Sequence, residues 1–288
     1  MKKSFQKASR RTDGLPYNHR LGQHFLHDQC LLEDLVAATG ITRQDHVLEI
    51  GPGSGMLTAC LCRAAAQVLA VEVDETLLPL LRVSLAAYPN FTLVHGDIRR
   101  LRLAELCAPL GQGFFVIANI PYNITSPILD LFIGNALPVR QLSVMVQQEV
   151  ADKLLAAPGD PGYGPLSLRA QFYCHPALVC AVPAQAFTPP PKVDSAFVNL
   201  PFRQEPPYPT ADPKLLFQLI KGSFTQRRKT LTNALKGVLP PAISPSFLHQ
   251  ALEALSLSPT VRGEALSLQE WILLANAVAA QCGTPLYS

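Results

Sequence analysis

The feature that most restricts the fold is a short apolar segment, His46-Val-Leu-Glu-Ile50, that runs straight into Gly51-Pro-Gly-Ser-Gly55 and then into a helically spaced stretch, Met56 to Ala65. Glycines at alternate positions let the backbone turn sharply and come close to a ligand where a Cβ would collide. The segments that follow keep to the plan of a parallel α/β sheet. Val68 to Val73 reads as a second apolar strand and Asp74 to Ala87 as a helix. Phe91 to Val94 reads as a third strand, running to Gly96-Asp97, and Phe114 to Ala118 as a fourth, ending at Asn119. Strands that are apolar along their whole length and alternate with helices indicate a sheet covered on both faces.

Upstream, Leu31 to Thr39 has helical spacing with Gly40 as its stop. Downstream, Leu142 to Val146 continues the strands, Gln148 to Ala156 reads as a helix and Pro158 to Gly164 as a loop. Leu178 to Val182 and Ala196 to Phe202 are expected to pair at the sheet edge. After the proline-rich joint Gln204 to Pro209 only helical patterning remains, at Leu215 to Gly222, Thr230 to Leu239, Ser246 to Leu255 and Gln269 to Ala280. The expected organisation is a basic arm over residues 1–20, a Rossmann-like α/β domain over 21–205 and a small all-helical domain over 206–288.

Charge is unevenly placed. The net charge is only +3, yet residues 1–20 hold six basic groups against Asp13, and residues 221–236 hold Lys221, Arg227, Arg228, Lys229 and Lys236 with no acid. The remaining chain carries 13 basic and 20 acidic groups. Positive charge gathered at two places suits a protein that meets phosphate at defined patches. Seven scattered cysteines, with a single residue between Cys60 and Cys62, fit neither a zinc knuckle nor a redox pair and indicate a reducing compartment with no metal site. No secretory signal and no apolar run of about 18 residues is present, so the expectation is a cytoplasmic monomer outside the membrane.

The strand ends supply the candidate site. Glu72, near the end of the second strand, can accept both hydroxyls of an adenosine ribose, and Asp97 can accept from an adenine amine. These features suit any adenosine-containing cofactor, a nicotinamide dinucleotide included. Asn119-Ile-Pro-Tyr122 is more selective. An adenine amine is a poor nucleophile because its lone pair is delocalised into the ring. Acceptors aimed at its two hydrogens, the Asn119 side-chain oxygen and the Ile120 carbonyl, raise electron density on the nitrogen. Pro121 restrains Ile120 to an extended conformation. Tyr122 offers a face on which an unpaired base can stack.

Asn119-Ile-Pro-Tyr122 resembles the signature of the ribosomal RNA adenine N6-dimethyltransferases, and the likeness spans roughly residues 20–280. Leu21 to Leu26, Glu49 to Gly55, Val146 to Ala151, Gly162 to Leu166, Phe187 to Ser195 and Phe224 to Leu231 are each similar to a family segment. The resemblance implies S-adenosylmethionine as cofactor, held by His24, Leu26, Gly51, Gly53, Glu72, Asp97 and Asn119. It further implies catalysis through Asn119, Ile120, Pro121 and Tyr122, with Tyr122 and Phe187 sandwiching the target base, and RNA contacts from Arg227, Arg228 and Lys229. His24 stands where many relatives carry Asn. The chain is most similar to the KsgA type, which dimethylates two adjacent adenines near the 3′ end of 16S rRNA during 30S subunit biogenesis. The alternatives are an Erm-like 23S rRNA enzyme and an assembly factor whose RNA binding outweighs its catalysis.

Overall fold

The computed structural model describes residues 23–241 and 243–283. The expected basic arm, with Leu21 and Gly22, lies outside the described residues. Two compact units emerge, residues 1–151 with 177–202, and residues 152–176 with 203–288.

The first unit opens with β1 (Phe25–Leu26) and α1 (Gln29–Ala38). Then come β2 (His46–Ile50), α2 (Met56–Ala64), β3 (Gln67–Glu72), α3 (Leu78–Ser84), β4 (Phe91–His95) and α4 (Leu103–Cys107). β5 (Phe114–Asn119), α5 (Thr125–Phe132), β6 (Val139–Gln147) and the start of α6 (Gln148–Leu155) follow. After α7 (Pro165–Tyr173) of the other unit, β7 (Ala177–Val182), β8 (Phe187–Thr188) and β9 (Ser195–Pro201) complete it.

Seven strands form one sheet in the order β4-β3-β2-β5-β6-β9-β7. The first five are parallel, and β9 runs antiparallel to both β6 and β7, so the late strand pair lies at the edge as the sequence indicates. Buried side chains explain the apolar strands: Val47, Leu48, Val68 and Val116 have no exposed surface, and each such side chain contributes about 1.5–3 kcal/mol. Chain order reverses between β2 and β5, the switch point where open α/β sheets bind ligands beyond the carboxyl ends of their strands.

The helix expected over Asp74 to Ala87 is broken. Asp74 caps a short turn over Glu75–Leu77, accepting from Thr76 N, and α3 begins only at Leu78. Pro79 sits in its first turn, where a missing N–H is tolerated.

The second unit contains α7, α8 (Pro213–Phe224), α9 (Leu231–Leu235), α10 (Pro245–Ala254) and α11 (Leu268–Gln281). A boundary at residues 205/206 does not describe it, because residues 152–176 pack with these helices. Tyr163 donates its hydroxyl to the Leu266 carbonyl (2.8 Å), and Arg203 Nε donates to the carbonyls of Gln171 and Cys174 (3.0 and 3.1 Å). Tyr163, Leu168 and Phe172 share one apolar cluster with Leu216, Leu219, Trp271 and Leu274. The proline-rich joint is thus a real break, but the helical core draws on chain from before it as well.

Candidate active site

The strand–loop–helix unit at β2 sets the geometry. Gly51, Gly53 and Gly55 all have positive φ, between 56° and 80°. Gly53 is fixed twice over: a Cβ there would lie 2.8 Å from the Phe25 ring, so both conformation and space exclude a side chain. The Gly53 N–H donates to Glu72 Oε2 (3.1 Å) and the Asp74 N–H to Glu72 Oε1 (2.8 Å), which ties the loop to the end of β3. Burial raises the Glu72 carboxyl above its ordinary range, and these two backbone donors partly offset that effect.

A cavity of about 250 Å³ opens at the carboxyl ends of the parallel strands. Gly51, Gly53, Glu72 and Asp97 line it from β2, β3 and the chain after β4. Asn119, Ile120, Pro121 and Tyr122 line it from β5, and His24 and Leu26 from the chain around β1. The cavity lining therefore includes every expected cofactor and catalytic residue except Phe187.

Asn119 Nδ2 donates to the His24 carbonyl (2.9 Å). A carbonyl only accepts, so this bond fixes which way the amide faces and directs Oδ1 to the opposite side. The His24 ring bonds through Nδ1 to the Pro189 carbonyl (2.7 Å) and stacks on Tyr122, with centroids 5.4 Å apart at 28°. The Tyr122 hydroxyl pairs with Ser195 Oγ at 2.6 Å. Burial raises the Tyr122 phenol pKa, so the ring stays neutral.

Phe187 is placed differently from expectation. β8 pairs with β1, setting Phe187 opposite Leu26, and the Phe187 ring joins the apolar core with 2% of its surface exposed. Phe187 does not line the cavity, and Tyr122 stacks on His24.

Arg99 grips Asp97 from the side, Nε to Oδ1 at 2.9 Å and a terminal nitrogen to Oδ2 at 2.7 Å, and holds the Asp97 carboxyl below its usual range. A carboxylate has about four acceptor positions, so Asp97 can still accept from a ligand.

The sequence reading missed Glu49. Its side chain lines the cavity at 1% exposure, and neither oxygen has a hydrogen-bond partner. Burial pushes the carboxyl up to about 8; the nearby Thr58 hydroxyl eases this without closing a good hydrogen bond, and the Glu72 charge adds to it. Its signal was a lone acid inside the otherwise apolar strand His46–Ile50. Arg227, Arg228 and Lys229 belong to the second unit. Arg227 pairs with Glu264 (3.1 Å) and donates to the Tyr163 carbonyl (3.3 Å), while Arg228 and Lys229 are exposed.

A seven-stranded Rossmann-like sheet with this cavity at its switch point suits an adenosine-containing cofactor, and its structural neighbours are methyltransferases. Two solved structures resemble the chain along most of its length. A dimethyladenosine transferase from Plasmodium falciparum superposes with a TM-score of 0.77 at 25% identity, covering 92% of this chain and 100% of that one. The 23S rRNA methyltransferase ErmE superposes with a TM-score of 0.70 at 26% identity, covering 88% and 99%. The model of the ribosomal RNA adenine dimethylase family matches residues 15–273, and the chain belongs to that family. It is 39% identical over 265 residues to the ribosomal RNA small subunit methyltransferase A of Lachnoclostridium phytofermentans, covering 91% of each chain. It is 40% identical over 272 residues to the protein of that name from Geobacillus thermodenitrificans, covering 92% of each. The chain is thus a ribosomal RNA adenine dimethyltransferase.

Proposed function

We propose that the enzyme takes its methyl groups from S-adenosylmethionine and transfers them to the N6 amines of two adjacent adenines in the 3′-terminal hairpin loop of 16S rRNA, on a 30S subunit precursor. The observation that carries this reading is the Asn119 amide, whose nitrogen is held by the His24 carbonyl. Its oxygen, an acceptor in any case, is thereby turned away from the His24 carbonyl.

The cavity fits the cofactor. Glu72 stands ready for the ribose hydroxyls, and Gly51 and Gly53 leave the backbone open to close approach. The buried, unpartnered Glu49 oxygens call for a cationic neighbour, which the cofactor's ammonium group would be. Once bound, S-adenosylmethionine supplies a methyl group on a cationic sulfur. Asn119 Oδ1 and the Ile120 carbonyl accept the hydrogens of the target amine and concentrate its lone pair. Tyr122 holds the base by its ring, and bases in a single-stranded loop are cheap to insert because they are already unstacked. The chemistry rests on orientation without a strong base. Arg227, Arg228 and Lys229 would hold the RNA backbone.

Asn119→Ala should abolish dimethyladenosine formation while leaving the melting temperature within a few degrees. Mass spectrometry of rRNA from a strain carrying only this variant checks it, and full dimethylation there would remove Asn119 from its role. The likeness to ErmE favours a second reading, a 23S target. The same spectra, read for which rRNA loses the modification on deletion, separate the two.

A further inference from the structure

Arg99 stands beside Asp97 on the wall of the cofactor cavity. The backbone there is pinned first. The Asp97 carbonyl closes the turn after β4, accepting from the N–H groups of Arg100 (2.8 Å) and Leu101 (3.2 Å). The half-buried side chain is pinned as well. Asp97 Oδ1 accepts from the Arg99 backbone N–H (3.0 Å) and from Arg99 Nε (2.9 Å), and Oδ2 accepts from an Arg99 terminal nitrogen (2.7 Å). Arg100 Nε lies 3.8 Å from Oδ2, close enough to add charge and too far for a hydrogen bond.

These bonds leave little of the carboxylate free. It offers about four acceptor positions, two on each oxygen. Both on Oδ1 are taken and one on Oδ2 is taken, so among the described residues a single position remains, on Oδ2. The guanidinium fork is planar and bonds both oxygens, which sets the plane of the carboxylate. Without the fork, Asp97 would keep one bond, from the Arg99 N–H to Oδ1, and its carboxylate would swing about that contact. The fork also holds the carboxyl below its usual range, so it stays ionised, an acceptor with no proton to give.

A lone acceptor position of fixed direction matches one N–H of an adenine amine. A purine with oxygen in place of that amine would set a second acceptor against it. We propose that Arg99 is a positioning residue for the cofactor, its fork turning Asp97 so that Oδ2 meets the adenine amine. The proposal rests on the reading that Asp97 accepts from the cofactor's adenine, and adds the oxygen that is used and the side chain that aims it.

The test is calorimetric titration of the full-length protein at neutral pH with two ligands, S-adenosylhomocysteine and its analogue with hydrogen in place of the adenine amine. Arg99→Leu should weaken S-adenosylhomocysteine about fivefold and change the analogue by less than about twofold, since the analogue has no amine to aim at. Arg99→Lys keeps the charge and loses the fork, and should behave as Arg99→Leu does. Arg99 is exposed, and undiminished binding of the analogue in either variant reports an intact cavity. Equal weakening of both ligands would make Arg99 a piece of cavity wall and overturn the proposal. Full affinity in Arg99→Lys would reduce its role to charge and overturn it too. Asp97→Ala separates the proposal from the reading beneath it. A loss of about tenfold or more for S-adenosylhomocysteine there, with unchanged or tighter binding in Arg99→Leu, would overturn the positioning and leave Asp97 on the adenine. Unchanged affinity in Asp97→Ala would overturn both.

Discussion

At the residue scale, Glu49 sets the most consequential balance. Its folded pKa, about 8, lies above the ordinary 4.5, so as pH rises the unfolded chain loses its proton first. The contribution of the protonated carboxyl is therefore whole below about 4.5, declines up to about 8 and is then flat. Glu49→Gln cannot ionise. Without cofactor it should match the unaltered protein at about pH 5 and exceed it by a few kcal/mol at about pH 9, which denaturant melts at the two pH values check. A cationic ligand beside Glu49 reverses the shift, so cofactor binding near neutrality should release a proton. Calorimetry in buffers of different ionisation enthalpy measures that release. Tyr122 divides into two functions. Tyr122→Phe gives up the Ser195 bond, worth about 1 kcal/mol, and should keep most activity. Tyr122→Ala gives up the stacking face and should lower kcat/KM by about tenfold or more.

At the element scale, the β2 loop and β1 depend on each other. Gly53→Ala would press on the Phe25 ring and force a side chain into left-handed backbone at about 1 kcal/mol or more. Its expected outcome is weaker cofactor binding together with a lower melting temperature, read by calorimetry and thermal unfolding. Elements with a long apolar period were legible in the sequence: β2 to β6, the edge pair β7 and β9, and the helices after residue 209. The missed elements are α4, α5, α7 and the two-residue strands β1 and β8. α4 has five residues, and α5 and α7 both carry an early proline that reads as a loop. The site was legible where one residue type had to stand at a strand end, as with Glu72, Asp97 and Asn119. Phe187 was not, because a two-residue strand that turns a ring inward leaves no period to follow. The Asn119–His24 bond was equally hidden, since it joins residues 95 positions apart through a backbone atom.

At the scale of the whole molecule, the net charge of +3 conceals two basic segments on a chain that is otherwise acidic. RNA affinity should then fall steeply with salt. Removing Arg228 and Lys229 together should lower the slope of log affinity against log salt by about 1.4, if each neutralises one phosphate of a single-stranded segment. An unchanged slope would place those side chains off the RNA. The interleaved path of the chain has a different consequence, for heredity. The chain passes from the first unit to the second after residue 151, returns at 177 and leaves again after 202. A recombination event at the proline-rich joint would deliver a helical unit lacking α7, with Tyr163, Leu168 and Phe172 left behind on the donor gene. Such a hybrid would have to rebuild part of its core, which disfavours exchange of the helical unit as a separate cassette.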